Sequence, residues 1–316
     1  MPYELADRLV VGIASSALFD LTESDRVFLE QGEDAYRAYQ RKHLDDTLDP
    51  GVAFSFIRRL LSLNDLAPAA DPLVEVIVLS RNDPDTGLRV MRSIESHTLS
   101  ISRAVFMQGR SPYRFMPALS MSLFLSADQE DVREAVALGL PAGTVLGPAA
   151  ADDHDDTDLR IAFDFDGVLA DDAAERLYKS GGIEEFRTHE VANARVAHAP
   201  GPLKDFLAAV NRIQRREEEE QRANPAYRMR VHVSIVTARN APAHERAVLS
   251  LNHWGLRVND AFFLGGIDKG RIMSVLRPHI FFDDQAGHLT STALTTPSVH
   301  VPFGLLNQPA SDAPAP

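Results

Sequence analysis

Residues 159–167 read Leu-Arg-Ile-Ala-Phe-Asp-Phe-Asp-Gly, an apolar run that ends in two acids one residue apart. The run is typical of a buried strand, but such strands do not normally end in a pair like Asp164 and Asp166. Side chains at i and i+2 of a strand point the same way, so the two carboxylates would converge at the carboxyl edge of a sheet. Open α/β sheets bind ligands at that edge. A plainer interpretation is a strand that continues into a solvated acidic loop.

Length and composition indicate a soluble globular protein with room for two domains. The chain has 316 residues, 45% of them apolar and 24% charged, and no cysteine, which excludes disulfides and thiol chemistry. No apolar stretch reaches the roughly 18 residues of a membrane span, and the first residues do not resemble a secretory signal. We therefore expect a cytoplasmic protein without a membrane partner. The net charge of −13 argues against nucleic acid as a partner.

The chain matches itself at two offsets. Shifted by 150 residues, segment 9–13 falls on 159–163, and shifted by 157 residues, segment 74–80 falls on 231–237. The offset grows by seven residues, and the charged run 215–221 is the expected place of the insertion, as a loop or an exposed helix end. A long match with one length change predicts an internal duplication. Two unrelated units in chance register are the alternative.

The coarse pattern is one of strands that alternate with amphipathic helical stretches. It predicts an α/β protein with Rossmann-like parallel sheets and helices on both faces. The predicted strands are 9–13, 74–79, 104–107, 122–125, 160–164, 231–236, 261–264 and 279–282. The predicted domains are 1–150 and 151–305, with a small helical cap at about 170–205 and a disordered tail at 306–316.

Four segments of the second half place reactive side chains at predicted strand ends. They are Asp164-Phe165-Asp166-Gly167, Val236-Thr237-Ala238-Arg239, Gly265-Gly266-Ile267-Asp268-Lys269-Gly270 and Ile280-Phe281-Phe282-Asp283-Asp284-Gln285. Each alone has an ordinary explanation, such as a helix N-cap for Thr237 or a solvated side chain for Lys269. Their joint occurrence in this order points to one site.

This set of side chains suits phosphoryl transfer. A phosphate monoester and an attacking carboxylate repel each other unless cations screen both. Lys269 and a Mg²⁺ ion held by the acids would provide that positive charge. Asp164 could then form an aspartyl-phosphate, while Asp166 protonates the leaving oxygen and later deprotonates the attacking water. Thr237 would donate a hydrogen bond to a phosphoryl oxygen.

The four segments resemble the four motifs of the haloacid dehalogenase superfamily of phosphatases. The resemblance implies that Asp164 is the nucleophile and Asp166 the acid/base. It also implies a catalytic set of Asp164, Asp166, Thr237 and Lys269, and a Mg²⁺ site formed by Asp164, Asp166, Asp283 and Asp284.

Further segments resemble the cytosolic 5′-nucleotidase I family from about residue 8 to about residue 305. They include Ala14-Ser15-Ser16-Ala17-Leu18-Phe19, Ser111-Pro112-Tyr113 and Arg277-Pro278-His279-Ile280-Phe281-Phe282-Asp283-Asp284-Gln285. The resemblance implies Mg²⁺-dependent hydrolysis of nucleoside 5′-monophosphates of the AMP or IMP type. The chain has Asp-Phe-Asp-Gly at 164–167, where mammalian members have Asp-Gly-Asp-Ala, so a base preference is not implied.

The internal match predicts a first half without the reactive groups. Ala14 and Ser16 take the places of Asp164 and Asp166, and Pro112 takes that of Lys269. We expect this degenerate half to bind or cover the nucleoside, or to form the interface of a homo-oligomer. Candidate substrate contacts are Ser15, Ser16, Arg81, Asn82, Ser111 and Tyr113, with Arg239 from the second half. Ordinary turn residues are the alternative.

Two other functions fit the sequence. One is a phosphatase or phosphotransferase for another small phosphate ester, and the other is a catalytically idle regulator that binds a nucleotide. The intact motifs of the second half favour an enzyme.

Four residues of the predicted cap either help to close the site or lie on a solvated helix face: Glu175, Arg176, His189 and Glu190. Trp254, which aligns with His97, is expected in the core.

Overall fold

The computed structural model describes residues 3–149, 153, 155–304 and 307. Apart from Asn307, the predicted tail at 306–316 lies outside the described residues. Within the described part of the chain, no helix combines the length and the apolar character that a membrane crossing requires.

Ten strands of the described chain form a single sheet. They are β1 (Leu9–Ile13), β2 (Val74–Ser80), β3 (Arg103–Phe106), β4 (Leu123–Ser126), β5 (Ala142–Leu146), β6 (Leu159–Phe163), β7 (Val231–Thr237), β8 (Asp260–Phe263), β9 (Ile280–Asp283) and β10 (Ser298–His300). Their order across the sheet is β3-β2-β1-β4-β5-β10-β9-β6-β7-β8. The predicted α/β class and the largely parallel sheet are confirmed.

The two halves meet at the centre of this sheet. Strands β5 and β10 pair antiparallel, with Val145 opposite Val299, whereas the other neighbouring strands are parallel. Each half has the same internal order of strands, arranged outward from the junction. Because the direction reverses at β5 and β10, the carboxyl ends of the first-half strands lie at the edge of the sheet opposite to those of the second half. The separate sheets that we predicted are therefore one sheet.

Helices connect the strands and cover both faces. They are α1 (Ser15–Leu18), α2 (Thr22–Gln31), α3 (Glu33–Lys42), α4 (Phe54–Ser62), α5 (Gly87–Ser96), α6 (Gln129–Ala137), α7 (Ala173–Ala192), α8 (Lys204–Ala223), α9 (His244–His253), α10 (Lys269–Leu276) and α11 (Ala286–Thr292). Val11 of β1 packs in one apolar cluster with Ile57 of α4, and Val10 packs in another with Val132 of α6. Alternate residues of β1 thus face opposite layers of helices.

The eight predicted strands agree with the observed ones to within one residue at each end.

The charged run 215–221 lies in the last turns of α8, which has 20 residues where α4 has nine. One of its acids, Glu217, is fully buried. It accepts hydrogen bonds from the Tyr227 hydroxyl at 2.8 Å and from the Val231 N–H at 3.0 Å. The run therefore extends a helix rather than forming a loop, and it includes a structural carboxylate.

The predicted cap region contains α7 and the segment that follows it. Helix α7 bends at Gly182, where φ is 74° and ψ is −171°. Gly32, between α2 and α3, has a similar backbone, with φ 83° and ψ −177°. Trp254 packs against the apolar core as expected, with its ring stacked on Phe165 at 6.2 Å.

Candidate active site

The ends of β6 and β9 and the start of α10 bring three charged side chains into direct contact. Lys269 Nζ lies 2.7 Å from Asp164 Oδ2 and 2.7 Å from Asp283 Oδ2. All three residues are buried. Asp268 caps α10 by accepting the Gly270 N–H at 2.6 Å, which fixes where the helix begins and therefore where Lys269 lies. Three of the four predicted segments thus meet at one edge of the sheet.

The buried charges of this cluster shift one another's titration. Burial would lower the pKa of Lys269, but the two carboxylates outweigh burial and hold that pKa above its usual value. Burial raises the pKa of Asp164, although Lys269 partly opposes it. Burial would also raise the pKa of Asp283, but Lys269 and His288 outweigh burial and lower it. Lys269 is therefore a fixed positive charge beside two acids.

Asp284 has a different environment from its neighbour Asp283. It is buried, and its Oδ1 atom accepts no hydrogen bond from the described residues. Burial, together with the nearby charges of Asp164, Asp283 and Asp166, raises the pKa of Asp284 to about 9. A buried oxygen without a donor, in an excess of acids, fits a hard cation such as Mg²⁺. Asp284 is therefore better placed than the lysine-bound Asp283 to hold a metal.

His288 of α11 belongs to the site although the sequence analysis did not select it. Its Nδ1 lies 3.2 and 3.1 Å from the two oxygens of Asp283. Atoms of Asp164, Asp283 and His288 all lie within 4.8 Å of one another, so these three residues could also share a cation. The only signal in the sequence was the position of His288 about one helical turn after the paired acids.

The carboxylate of Asp166 forms a bidentate ion pair with the guanidinium of Arg239. The guanidinium Nε donates to Asp166 Oδ2 at 2.7 Å, and Nη2 donates to Oδ1 at 2.6 Å. The guanidinium carbon lies 5.3 Å from the centre of the Phe165 ring and 5.5 Å from that of Phe186. Thr237 is buried at the end of β7, where its hydroxyl accepts the Arg239 N–H at 3.3 Å.

Glu190, at the end of α7, is buried on the far side of Arg239. It accepts hydrogen bonds from Arg239 and, at 2.7 Å, from Arg246 of α9, and His198 Nε2 lies 3.3 Å away. The solvated position considered for Glu190 is therefore wrong. Sequence patterns did not identify His198 and Arg246, because the contacts that join them depend on the packing of α7 against α9.

A cavity of about 330 Å³ opens over these residues. Its lining comes entirely from the second half and includes Asp164, Thr237, Asn240 and His288. Two residues of α7, Glu175 and Phe186, also line it. The cavity therefore combines acids, a hydroxyl donor, an imidazole and a phenylalanine ring. The other two cap residues that we considered differ: Arg176 is exposed and pairs with Asp172 at 3.2 Å, and His189 Nδ1 lies 3.4 Å from Glu190.

The first-half candidates lie at the opposite edge of the sheet. Each follows the carboxyl end of β1, β2 or β3, and their strands point away from this cavity: Ser15, Ser16, Arg81, Asn82, Ser111 and Tyr113. Ser15 Oγ lies 3.3 Å from Ser80 Oγ, and Asn82 accepts the Tyr36 hydroxyl at 3.3 Å. Within one chain, these residues cannot contact a substrate bound at Asp164. The antiparallel junction, which the sequence pattern does not reveal, overturns that part of the prediction.

Comparisons with known proteins find a family model and a human relative that match this chain. A family model described as 5′-nucleotidase matches residues 1–308. Human cytosolic 5′-nucleotidase 1B is 32% identical over 295 residues, which cover 91% of this chain and 48% of the human protein. The chain thus spans about half the length of this curated relative. No solved structure matches the chain significantly.

Proposed function

Because the chain belongs to the 5′-nucleotidase family, we propose that it hydrolyses nucleoside 5′-monophosphates, of the AMP or IMP type, to a nucleoside and phosphate. The observation that carries the proposal is the contact of Lys269 Nζ with both Asp164 and Asp283. A buried ammonium in contact with Asp164, which lines the cavity, provides the positive charge that a phosphate dianion needs. The name of the human relative supports a cytoplasmic location for this activity.

In this proposal Asp164 is the nucleophile. Its carboxylate attacks phosphorus and forms an aspartyl-phosphate, while Lys269 screens the repulsion between the two anions. The Thr237 hydroxyl donates a hydrogen bond to a phosphoryl oxygen. Asp166 donates a proton to the leaving 5′ oxygen, and its carboxylate then takes a proton from the water that attacks the aspartyl-phosphate.

The acids of this site also fit a Mg²⁺ ion. Asp164 and Asp284 would hold it, because Asp284 Oδ1 is buried without a donor among the described residues and the pKa of Asp284 is raised to about 9. Asp166 would contribute its backbone carbonyl oxygen, because its side chain is bound by Arg239, whereas Asp283 is already bound by Lys269. When bound, the ion supplies positive charge at the phosphate and helps to orient it for attack.

We further propose that the two halves are haloacid dehalogenase-like units that arose by duplication, with a degenerate first half and a catalytic second half. Both halves have the same order of strands. Isolated bridges join Phe19 to Pro50 and Ala170 to Pro200, at an offset of about 150 residues. The first half then forms a structural support or an oligomer interface, rather than a cover for the nucleoside of its own chain.

A substrate panel tests the activity. Purified protein with Mg²⁺ should release phosphate from nucleoside 5′-monophosphates faster than from sugar phosphates, as measured with malachite green. Asp164→Asn should abolish turnover and leave nucleotide binding, measured by calorimetry, largely intact. Faster release from a sugar phosphate would instead favour a phosphatase for another small ester. Tight nucleotide binding by the wild-type protein without any turnover would indicate a regulator.

A further inference from the structure

Every nitrogen of the Arg239 guanidinium has a partner within the protein. Its Nε and Nη2 bind both oxygens of Asp166, and its Nη1 donates to Glu190 and to the Ala243 carbonyl oxygen. Nη2 also lies 3.1 Å from His198 Nε2. The residue is 4% exposed. This differs from the substrate contact that the sequence predicted for Arg239.

Glu190 holds the guanidinium from the side away from Asp166. Burial would raise the pKa of Glu190, but His198 and Arg239 outweigh burial and keep that pKa below its usual range. Arg246 binds the second carboxylate oxygen at 2.7 Å. Glu190 is thus a buried anion between two arginines, and buried ions persist only when they are paired in this way.

The first half contains the same corner of the fold without a catalytic site. Leu48 N–H donates to Ser93 Oγ at 3.0 Å, and at the equivalent place His198 N–H donates to Ser250 Oγ at 3.0 Å. Arg89 Nη1 donates to Gln40 Oε1 at 3.2 Å, in the position of the pair formed by Arg246 and Glu190. The backbone and the outer arginine are therefore the same in both halves.

What differs is the charge around Asp166. The offsets of 150 and 157 residues place uncharged residues at four positions of the first half: Ser16 for Asp166, Gln40 for Glu190, Leu48 for His198 and Asn82 for Arg239. The corner folds without these four side chains, so the fold does not require them. They occur in the half that has the catalytic acid.

We propose that Arg239 and Glu190 are positioning residues that hold the carboxyl group of Asp166 for proton transfer. The inference rests on the proposed function. In the first step a bond forms between Asp164 and phosphorus while the bond from phosphorus to O5′ breaks. O5′ keeps the electron pair and takes the proton of Asp166. If Asp166 is displaced, O5′ must leave as an alkoxide, which slows this step.

The test compares two leaving groups on the same nucleoside. One substrate is AMP, and the other is its analogue with sulfur in place of the bridging 5′ oxygen, which leaves as a thiolate and needs no proton. The variant Glu190→Gln puts into the second half the residue that position 40 has in the first. We expect it to lower kcat/KM for AMP on the order of 10-fold or more, since general acid catalysis contributes roughly 100-fold or more. The value for the sulfur analogue should stay within about twofold of wild type.

Two further variants complete the experiment. Arg239→Lys removes the bidentate contact with Asp166 and should show the same selective loss of kcat/KM for AMP. The proposal can therefore be tested even if Glu190→Gln does not fold. The reverse exchange in the first half, Gln40→Glu, should leave both substrates unaffected. Equal losses on both substrates, or no loss on AMP, would overturn the positioning role. A wild-type protein that hydrolyses neither substrate would instead overturn the proposed function.

Discussion

Asp283 and Asp284 are adjacent acids of this site, and their pKa values shift in opposite directions because their side chains have different neighbours. Asp283 faces Lys269 at 2.7 Å and His288 at 3.1 Å, and these neighbours lower its pKa against the effect of burial. Asp284 has three acids near it, whose charges together with burial outweigh that of Lys269, and one buried oxygen without a donor among the described residues. The sequence treats the two as an equivalent pair, and only the directions of their side chains separate the lysine partner, Asp283, from the proposed metal ligand, Asp284.

The raised pKa of Asp284 predicts a pH-dependent effect of Mg²⁺ on stability. Its pKa is about 9 in the folded protein and roughly 4 in an unfolded chain. Without metal, the folded state therefore binds the proton more tightly, and stability is lost as the pH rises from about 4 through 9. In the proposed site Mg²⁺ would bind the ionised form, so it should raise Tm more at pH 8 than at pH 5. Thermal unfolding with Mg²⁺ or with a chelator measures this difference.

Asp284→Asn is the control for this measurement. The variant cannot ionise at this position, so it should lose most of the Mg²⁺-dependent gain at pH 8 and become less sensitive to pH without metal. The same gain in Tm at both pH values in the wild-type protein would contradict the assignment of Asp284 as a metal ligand. So would an undiminished gain in the variant.

At the scale of elements, the turn from β6 to α7 depends on Gly167. Its φ is +70°, and a Cβ atom there would lie 2.4 Å from Asp284 Cγ. We expect Gly167→Ala to displace Asp284 and to lower the rate of AMP hydrolysis on the order of 100-fold, as a shift of about 1 Å in a catalytic group can do. Steady-state kinetics at saturating Mg²⁺ measure the loss.

Gly255 provides the matched control for the backbone alone. Its φ is +68°, but nothing lies within 4 Å of an added Cβ. Gly255→Ala should therefore cost about 1–2 kcal/mol in the free energy of unfolding, measured in urea, with little change in AMP hydrolysis. Similar kinetic losses in both variants would show that backbone strain, and not the contact with Asp284, limits activity.

The strands that sequence patterns predicted are those with continuous apolar runs. The two that were missed, β5 and β10, read Ala-Gly-Thr-Val-Leu and Ser-Val-His, and neither has a clear apolar period. They form because they pair with each other. A Cβ atom at Gly143 would lie 2.2 Å from Val299 Cγ1, so this glycine permits the close approach of the two strands. Such a partnership is a tertiary contact and leaves little trace in local sequence.

At the scale of the molecule, the missed junction decides what the first half can do. The segments that meet around Lys269 could be predicted because they follow strands of one parallel unit, whose carboxyl ends share an edge. The relation between the two units could not, since it depends on the antiparallel pairing of Val145 with Val299. That pairing places the first-half strand ends at the other edge of the sheet, which is why we propose that the first half supports the second.

This supporting role predicts that the halves do not function apart. A fragment of residues 153–316 would expose β10 as an edge strand and lose the ion pair between Arg230 and Asp65, whose Nη1 and Oδ2 atoms are 2.9 Å apart. It would also lose the apolar cluster that β1 shares with β6. We expect the fragment to be largely unfolded by circular dichroism and to hydrolyse AMP at less than about a tenth of the full-length rate. Co-expression with residues 1–152 should restore both properties, which separates loss of support from damage caused by the cut. A lone fragment that folds and turns over AMP at the full rate would show that the second half needs nothing from the first.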